Sequence, residues 1–115
     1  MIAEKAKDAV DQAVLYELQK ITKDYGPTYS SEHEGYAVLL EEVQEACEAS
    51  RWMASRLEST WCAIRHNVLS KQQYHIEEVR KFALSCAQEA VQCAAVCERF
   101  IETLKKEETD ERILQ

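Results

Sequence analysis

The chain has 115 residues, 46% hydrophobic and 30% charged, with two Gly and one Pro. This is a globular composition, long enough for one domain around one core. The formal net charge of −7, from 21 acidic and 14 basic residues, argues against nucleic acid or an anionic membrane as the main partner. A nucleotide stays open, because a divalent metal can supply the missing positive charge. The N-terminus is polar and amphipathic, unlike a signal peptide. No apolar run approaches about 18 residues, so no transmembrane helix is expected. With an odd count of five cysteines, the expected setting is cytoplasmic, with thiols that pack as small hydrophobes.

So few Gly and Pro predict an all-α chain. The first helix lies within residues 1–26. Ala6, Val10, Ala13, Val14, Leu18 and Ile21 recur at i, i+3, i+4 spacing, and Gly26-Pro27 is a stop signal. Ser30 and Ser31 are N-cap candidates for the next helix, and Ser31 with Glu34 has capping-box spacing.

The second helix is expected over 30–56. Gly35 predicts an irregular first turn. This helix is apolar on two sides: Val38, Leu39, Ala46, Ala49 and Met53 on one, and Tyr36, Leu40, Val43 and Cys47 on the other. That pattern predicts a central helix packed by several neighbours. Residues 57–70 read as an insert helix around Trp61, either continuous with the second helix or set off by a kink, with a break signalled by His66-Asn67 and Ser70. The last helix is expected over 71–108, along a stripe of Val79, Phe82, Ala83, Cys86, Ala90, Cys93, Cys97, Ile101 and Leu104. The charged tail, 109–115, is expected to fray. The architecture is then an antiparallel bundle of three to five helices in a single domain, 1–115.

The chemistry centres on acids. Glu42 lies near the middle of the Val38–Met53 face, and Glu45 stands one turn on. A carboxylate directed into a core is costly unless paired or bound to a metal. Two carboxylates at i, i+3 make half a site for a hard divalent cation. On the last helix, Glu89 sits at the edge of the apolar stripe and Gln92 one turn further. Antiparallel packing would bring three carboxylates around one Mg²⁺, leaving coordination positions for phosphates. The plainer reading is a set of solvated or ion-paired acids, with Arg51, Arg56 and Lys81 as available cations. Cys62 and His66 have metal-compatible i, i+4 spacing, but no second ligand pair lies nearby in sequence. Trp52 and Trp61 read as packing anchors rather than base-stacking groups.

These strings carry a family resemblance. His33-Glu34-Gly35-Tyr36-Ala37-Val38-Leu39-Leu40-Glu41-Glu42, running into Val43-Gln44-Glu45, contains an E-x-x-E with a double-Glu start. Gln88-Glu89-Ala90-Val91-Gln92-Cys93-Ala94-Ala95 matches an E-x-x-D except at its last position. In order, over residues 30–103, they resemble the all-α nucleoside-triphosphate pyrophosphohydrolases of the MazG-like superfamily, in a divergent phage- or Firmicute-type branch. The resemblance implies a homodimer or homotetramer that converts a nucleoside triphosphate to its monophosphate and pyrophosphate with Mg²⁺, or Mn²⁺ in its place. It implies Glu41, Glu42 and Glu45 as the catalytic set, and Glu42, Glu45, Glu89 and Gln92 as metal ligands. Gln92 stands where the family has Asp, which removes one negative charge, and the stretch from Ala46 to Gln88 is longer than the family spacing. A fold-retaining protein that binds nucleotide or metal without hydrolysis, and a helical oligomerisation or interaction module, are the alternatives.

Overall fold

Three helices account for most of residues 1–114, the part of the chain that the computed structural model describes: α1 (Glu4–Tyr25), α2 (Glu32–Arg65) and α3 (Leu69–Leu114). No strand occurs among the described residues, so the fold is all-α, with a long C-terminal helix of 46 residues. None of these helices is long and apolar enough to cross a membrane.

The helix ends follow local chemistry. Gly26 ends α1 at φ 87°, a conformation that favours a residue without Cβ, and its N–H donates to the Thr22 carbonyl at 2.8 Å. Ser31 Oγ caps α2 by accepting the Glu34 N–H at 3.2 Å. The reciprocal half of the expected capping box is replaced, because the Glu34 carboxylate accepts from Ser30 Oγ at 2.6 Å. At the other end of α2, Asn67 adopts φ 57°. Its N–H donates to the Ile64 carbonyl at 3.0 Å, and the Val68 N–H donates to the Ala63 carbonyl at 3.1 Å. That pair of bonds is a Schellman stop with Asn in the left-handed position.

Two expected boundaries move. Of the two forms expected for 57–70 the continuous one holds, since α2 runs unbroken to Arg65 with no Gly or Pro after Gly35 to interrupt it. The last helix starts at Leu69 and carries on through most of the tail to Leu114. In that tail Lys105–Glu102 (3.3 Å) and Arg112–Glu108 (2.7 Å) are helix-spaced ion pairs, the kind that supports an exposed helix. Gln115 lies outside the described residues.

The chain divides into two compact units, one made of Met1–Glu42 with the chain from Val91 onward, the other of Val43–Ala90. The first unit is organised by Arg99, which is only 6% exposed. Its Nη2 donates to the Tyr25 carbonyl at 2.8 Å and to the Thr28 carbonyl at 3.1 Å, and its Nε to the Gly26 carbonyl at 3.1 Å. The guanidinium lies over the Tyr29 ring at 4.1 Å. One turn on, buried Thr103 Oγ1 accepts the Tyr29 N–H and donates to the Arg99 carbonyl, both at 2.9 Å. Gly35 is buried and regularly helical, where an irregular turn was expected. A Cβ there would meet the Phe100 ring at 3.1 Å, so close approach explains the glycine. Phe100 in turn sits edge-on to Tyr29, with centroids 6.5 Å apart.

The second unit is a helical hairpin. Its buried residues are small or polar: Ala49, Thr60 and Ala63. Trp52 stacks on Phe82 across the hairpin, with centroids 6.0 Å apart and planes at 21°, as a packing anchor would. Thr60 Oγ1 returns a hydrogen bond to the Arg56 carbonyl at 2.9 Å.

The inward face of α2 follows the sequence pattern, since Val38, Leu39, Glu42, Ala46, Ala49 and Met53 are all buried or half-buried. The second apolar face does not: Tyr36, Leu40, Val43 and Cys47 are exposed, so α2 is covered on one side within this chain rather than on both. The α3 stripe also departs from expectation towards its end. Ile101 and Leu104 face outward, and the buried positions are Arg99 and Thr103.

Thr103→Val keeps the shape and leaves the Tyr29 N–H without its acceptor, at an expected cost of about 1–3 kcal/mol. Arg99→Ala removes three hydrogen bonds to carbonyls and a buried stem and should cost more, about 2–5 kcal/mol. Urea unfolding followed by circular dichroism measures both, and the ranking Arg99→Ala below Thr103→Val below wild type is the expected result.

Candidate metal centre

The pitch of α2 places Glu42 and Glu45 on successive turns of one unbroken helix. In the second unit the hairpin then sets Glu45 against Glu89 of α3, with oxygens within 4.8 Å. Glu45 and Glu89 line one shallow depression with Glu48, Ala49, Trp52, Phe82 and Ser85. The Glu45 carboxyl is held above the usual carboxylate range. The chief cause is its hydrogen bond to Glu89; partial loss of water and the negative charges of Glu89 and Glu48 act in the same direction.

Among the described residues no ion pair involves Glu45 or Glu89. Among the described residues the ion pairs are Lys81–Glu78 at 3.9 Å, Lys105–Glu102 and Arg112–Glu108. Lys81 is directed to Glu78 and to the Phe82 ring, and Arg56 lies over Trp52 at 5.6 Å. The cations that the plainer sequence reading offered to Glu45 and Glu89 are thus engaged elsewhere or apart. The donor set is all oxygen and anionic, which suits a hard divalent ion such as Mg²⁺ or Mn²⁺.

In the first unit, Glu42 and Gln92 line a cavity of about 690 Å³ together with Tyr25, Tyr29, Val38 and Arg99. Gln92 is turned towards α1, where its Nε2 donates to Glu17 Oε2 at 3.3 Å. That bond leaves its carbonyl oxygen as the atom able to face a ligand. Glu41 is exposed on α2 and lines neither the cavity nor the depression.

Sequence reasoning missed Glu17, Arg99 and Lys106. Glu17 is half-buried between Val14, Leu18 and Ile21, so an acid interrupting the α1 stripe was its available signal. Lys106 and Arg99 supply positive charge to the cavity that holds Glu42, whereas none of the cations considered from sequence, Arg51, Arg56 and Lys81, lines it. Cys62 and His66 do meet, with Sγ 3.7 Å from Nδ1, and α3 adds His75 to the same depression. The donor atoms of these three do not converge as the acids do, since the one convergent set among the described residues is the glutamates.

No family model, no curated protein and no solved structure matches this chain.

The raised pKa of Glu45 gives a signed expectation. A carboxyl with a raised folded-state pKa stabilises the fold below its unfolded value, and that contribution is lost as pH rises through the folded value. Metal-free protein should therefore lose stability as pH climbs from the acid side through that range. Glu45→Gln should melt higher than wild type at neutral pH, with the difference vanishing at low pH. Thermal melts in EDTA across pH 4–8 measure this, and a Glu45→Gln variant that melts lower at neutral pH would count against a raised Glu45 carboxyl.

Proposed function

We propose that this protein is a Mg²⁺-dependent nucleoside-triphosphate pyrophosphohydrolase, with Glu42, Glu45 and Glu89 as the protein ligands of the metal. The observation that carries this reading is the approach of Glu89 to Glu45, with no ion pair to either among the described residues, and Glu45 lies one turn from Glu42 on the same helix. Bound there, the metal would neutralise the triphosphate, polarise phosphorus and activate water. Water adds to phosphorus, and the bridging oxygen between the α- and β-phosphates leaves with pyrophosphate. A proton on Glu45 would compete with the ion, so metal affinity should fall as pH is lowered.

The cavity beside Glu42 supports the same reading. Its volume of about 690 Å³ is in the range of small-molecule sites. Tyr25 and Tyr29 offer ring surface to a base, and Lys106 offers charge to a phosphate. Gln92 presents a neutral carbonyl where the resembled family has Asp, which weakens the metal's hold but keeps an acceptor for a nucleotide. Glu41 acts from outside the ligand set, in the exposed position the double-Glu start gives it. The assembly implied by the resemblance is a homodimer or homotetramer.

A second reading, binding without turnover, is favoured by one observation: Gln92 is hydrogen-bonded to Glu17, which draws its side chain away from a ligand role.

Pyrophosphate release from a panel of (d)NTPs, with Mg²⁺ or Mn²⁺ and with EDTA, separates these readings. The expected outcome is metal-dependent release that drops at least about a hundredfold in Glu42→Gln and in Glu89→Gln. Release at the wild-type rate in both variants would remove the catalytic assignment. Calorimetric metal binding that is lost in Glu89→Gln, without release from any triphosphate, would establish the binding reading instead.

A further inference from the structure

The outward face of α2 carries a second pattern that the metal reading does not use. Val43, Cys47, Ser50, Ala54, Leu57, Trp61 and Ile64 follow one another at alternating spacings of four and three residues, the a/d spacing of a coiled-coil seam. All seven are exposed, with Leu57 at 61% and Trp61 at 59%. The buried residues of the same unit are two alanines and a threonine, so its largest apolar side chains on α2 face outward. An exposed apolar stripe of this length marks an interaction surface.

The seam is asymmetric along its length. Its first half, Cys47, Ser50 and Ala54, is small, and its second half, Leu57, Trp61 and Ile64, is large. An identical helix laid antiparallel, with its two-fold axis between Ser55 and Arg56, places Leu57 against Ala54 of the second copy, Trp61 against Ser50 and Ile64 against Cys47. Each large side chain then meets a small one. In the same register the flanking Arg51 of each copy comes beside Glu58 of the other, twice by symmetry. Both residues are exposed, and neither belongs to an ion pair among the described residues. A parallel pairing would instead oppose Trp61 to Trp61 and Ser50 to Ser50, with the like-charged Arg51 pair at one level.

We propose that the outward a/d face of α2, from Val43 to Ile64, is a self-association surface that pairs antiparallel with α2 of a second copy of this chain, Arg51 of each facing Glu58 of the other. The surface is self-complementary, as a two-fold interface requires. Size matching and charge matching, two independent features of the sequence, select the same register.

Sedimentation equilibrium of the purified chain tests this. The expected mass is twice the 13.3 kDa of one chain, and Leu57→Glu should sediment as a monomer with unchanged helical circular dichroism, because Leu57 is exposed in the single chain. Arg51→Glu and Glu58→Arg should each weaken dimerisation about tenfold at low salt, and the double variant R51E/E58R should return to wild type. A monomer at every concentration overturns the proposal. A dimer that survives Leu57→Glu overturns the surface, and a double variant weaker than either single change overturns the antiparallel register.

Discussion

One buried cation orders the first unit. Arg99 has no carboxylate partner in the contacts that hold it; three main-chain carbonyls of residues 25, 26 and 28 take its donors. Two of these belong to the C-terminal end of α1 and its Gly26 cap, where unpaired carbonyls and the helix dipole concentrate negative charge. The arrangement therefore settles two costs together: the desolvation of a guanidinium and the unsatisfied acceptors of a helix end. It also fixes the turn. Gly26 must adopt a positive φ to present its carbonyl, Tyr29 must lie under the guanidinium, and Thr103 must accept the Tyr29 N–H. The cavity wall made by Tyr25, Thr28, Tyr29 and Arg99 follows from that one set of bonds.

The glutamate pair of the second unit follows the opposite logic. Arg99 is satisfied by neutral acceptors at fixed distances, whereas Glu45 meets the like charge of Glu89 and its carboxyl is held above the usual carboxylate range. A helical hairpin has no need of such a pair, since two alanines would pack at those positions without repulsion. Surface ion pairing would be the ordinary way to relieve it, yet Lys81, the nearest lysine in sequence to Glu78, is spent there at 3.9 Å. An arrangement that opposes stability, placed where a hard cation would relieve it, is the physical ground for reading the acids as a site rather than as solvated surface.

Much of this was legible in the sequence, because helices reveal themselves through periodicity and through their ends. Gly26-Pro27 and His66-Asn67 gave the two breaks, and the Val38–Met53 face of α2 is the one that packs. Glu42 and Glu45 fall on successive turns because i, i+3 spacing is a property of a single helix. What periodicity could not reveal was burial carried by polar atoms. Arg99 and Thr103 look like surface residues by hydropathy, while Ile101 and Leu104 look like core, so the last part of the α3 stripe was read on the wrong side. Gly35 was misread for a related reason. Its role lies in what approaches it, the Phe100 ring, and no local propensity reports a tertiary neighbour.

The two apolar faces of α2 explain how one helix can serve two purposes without conflict. Glu45 lies across the helix from the centre of the Val43–Ile64 seam, and Glu42 faces the interior side, by the 100° step of the α-helix. A second chain laid on the seam would cover Leu57, Trp61 and Ile64 and leave both acids uncovered. An antiparallel pairing through that face therefore implies a metal centre assembled within each chain rather than shared across the two-fold axis. The expectation of a central helix packed on two sides is met on one side only within this chain, where the Val38–Met53 face is covered and Tyr36, Leu40, Val43 and Cys47 are exposed.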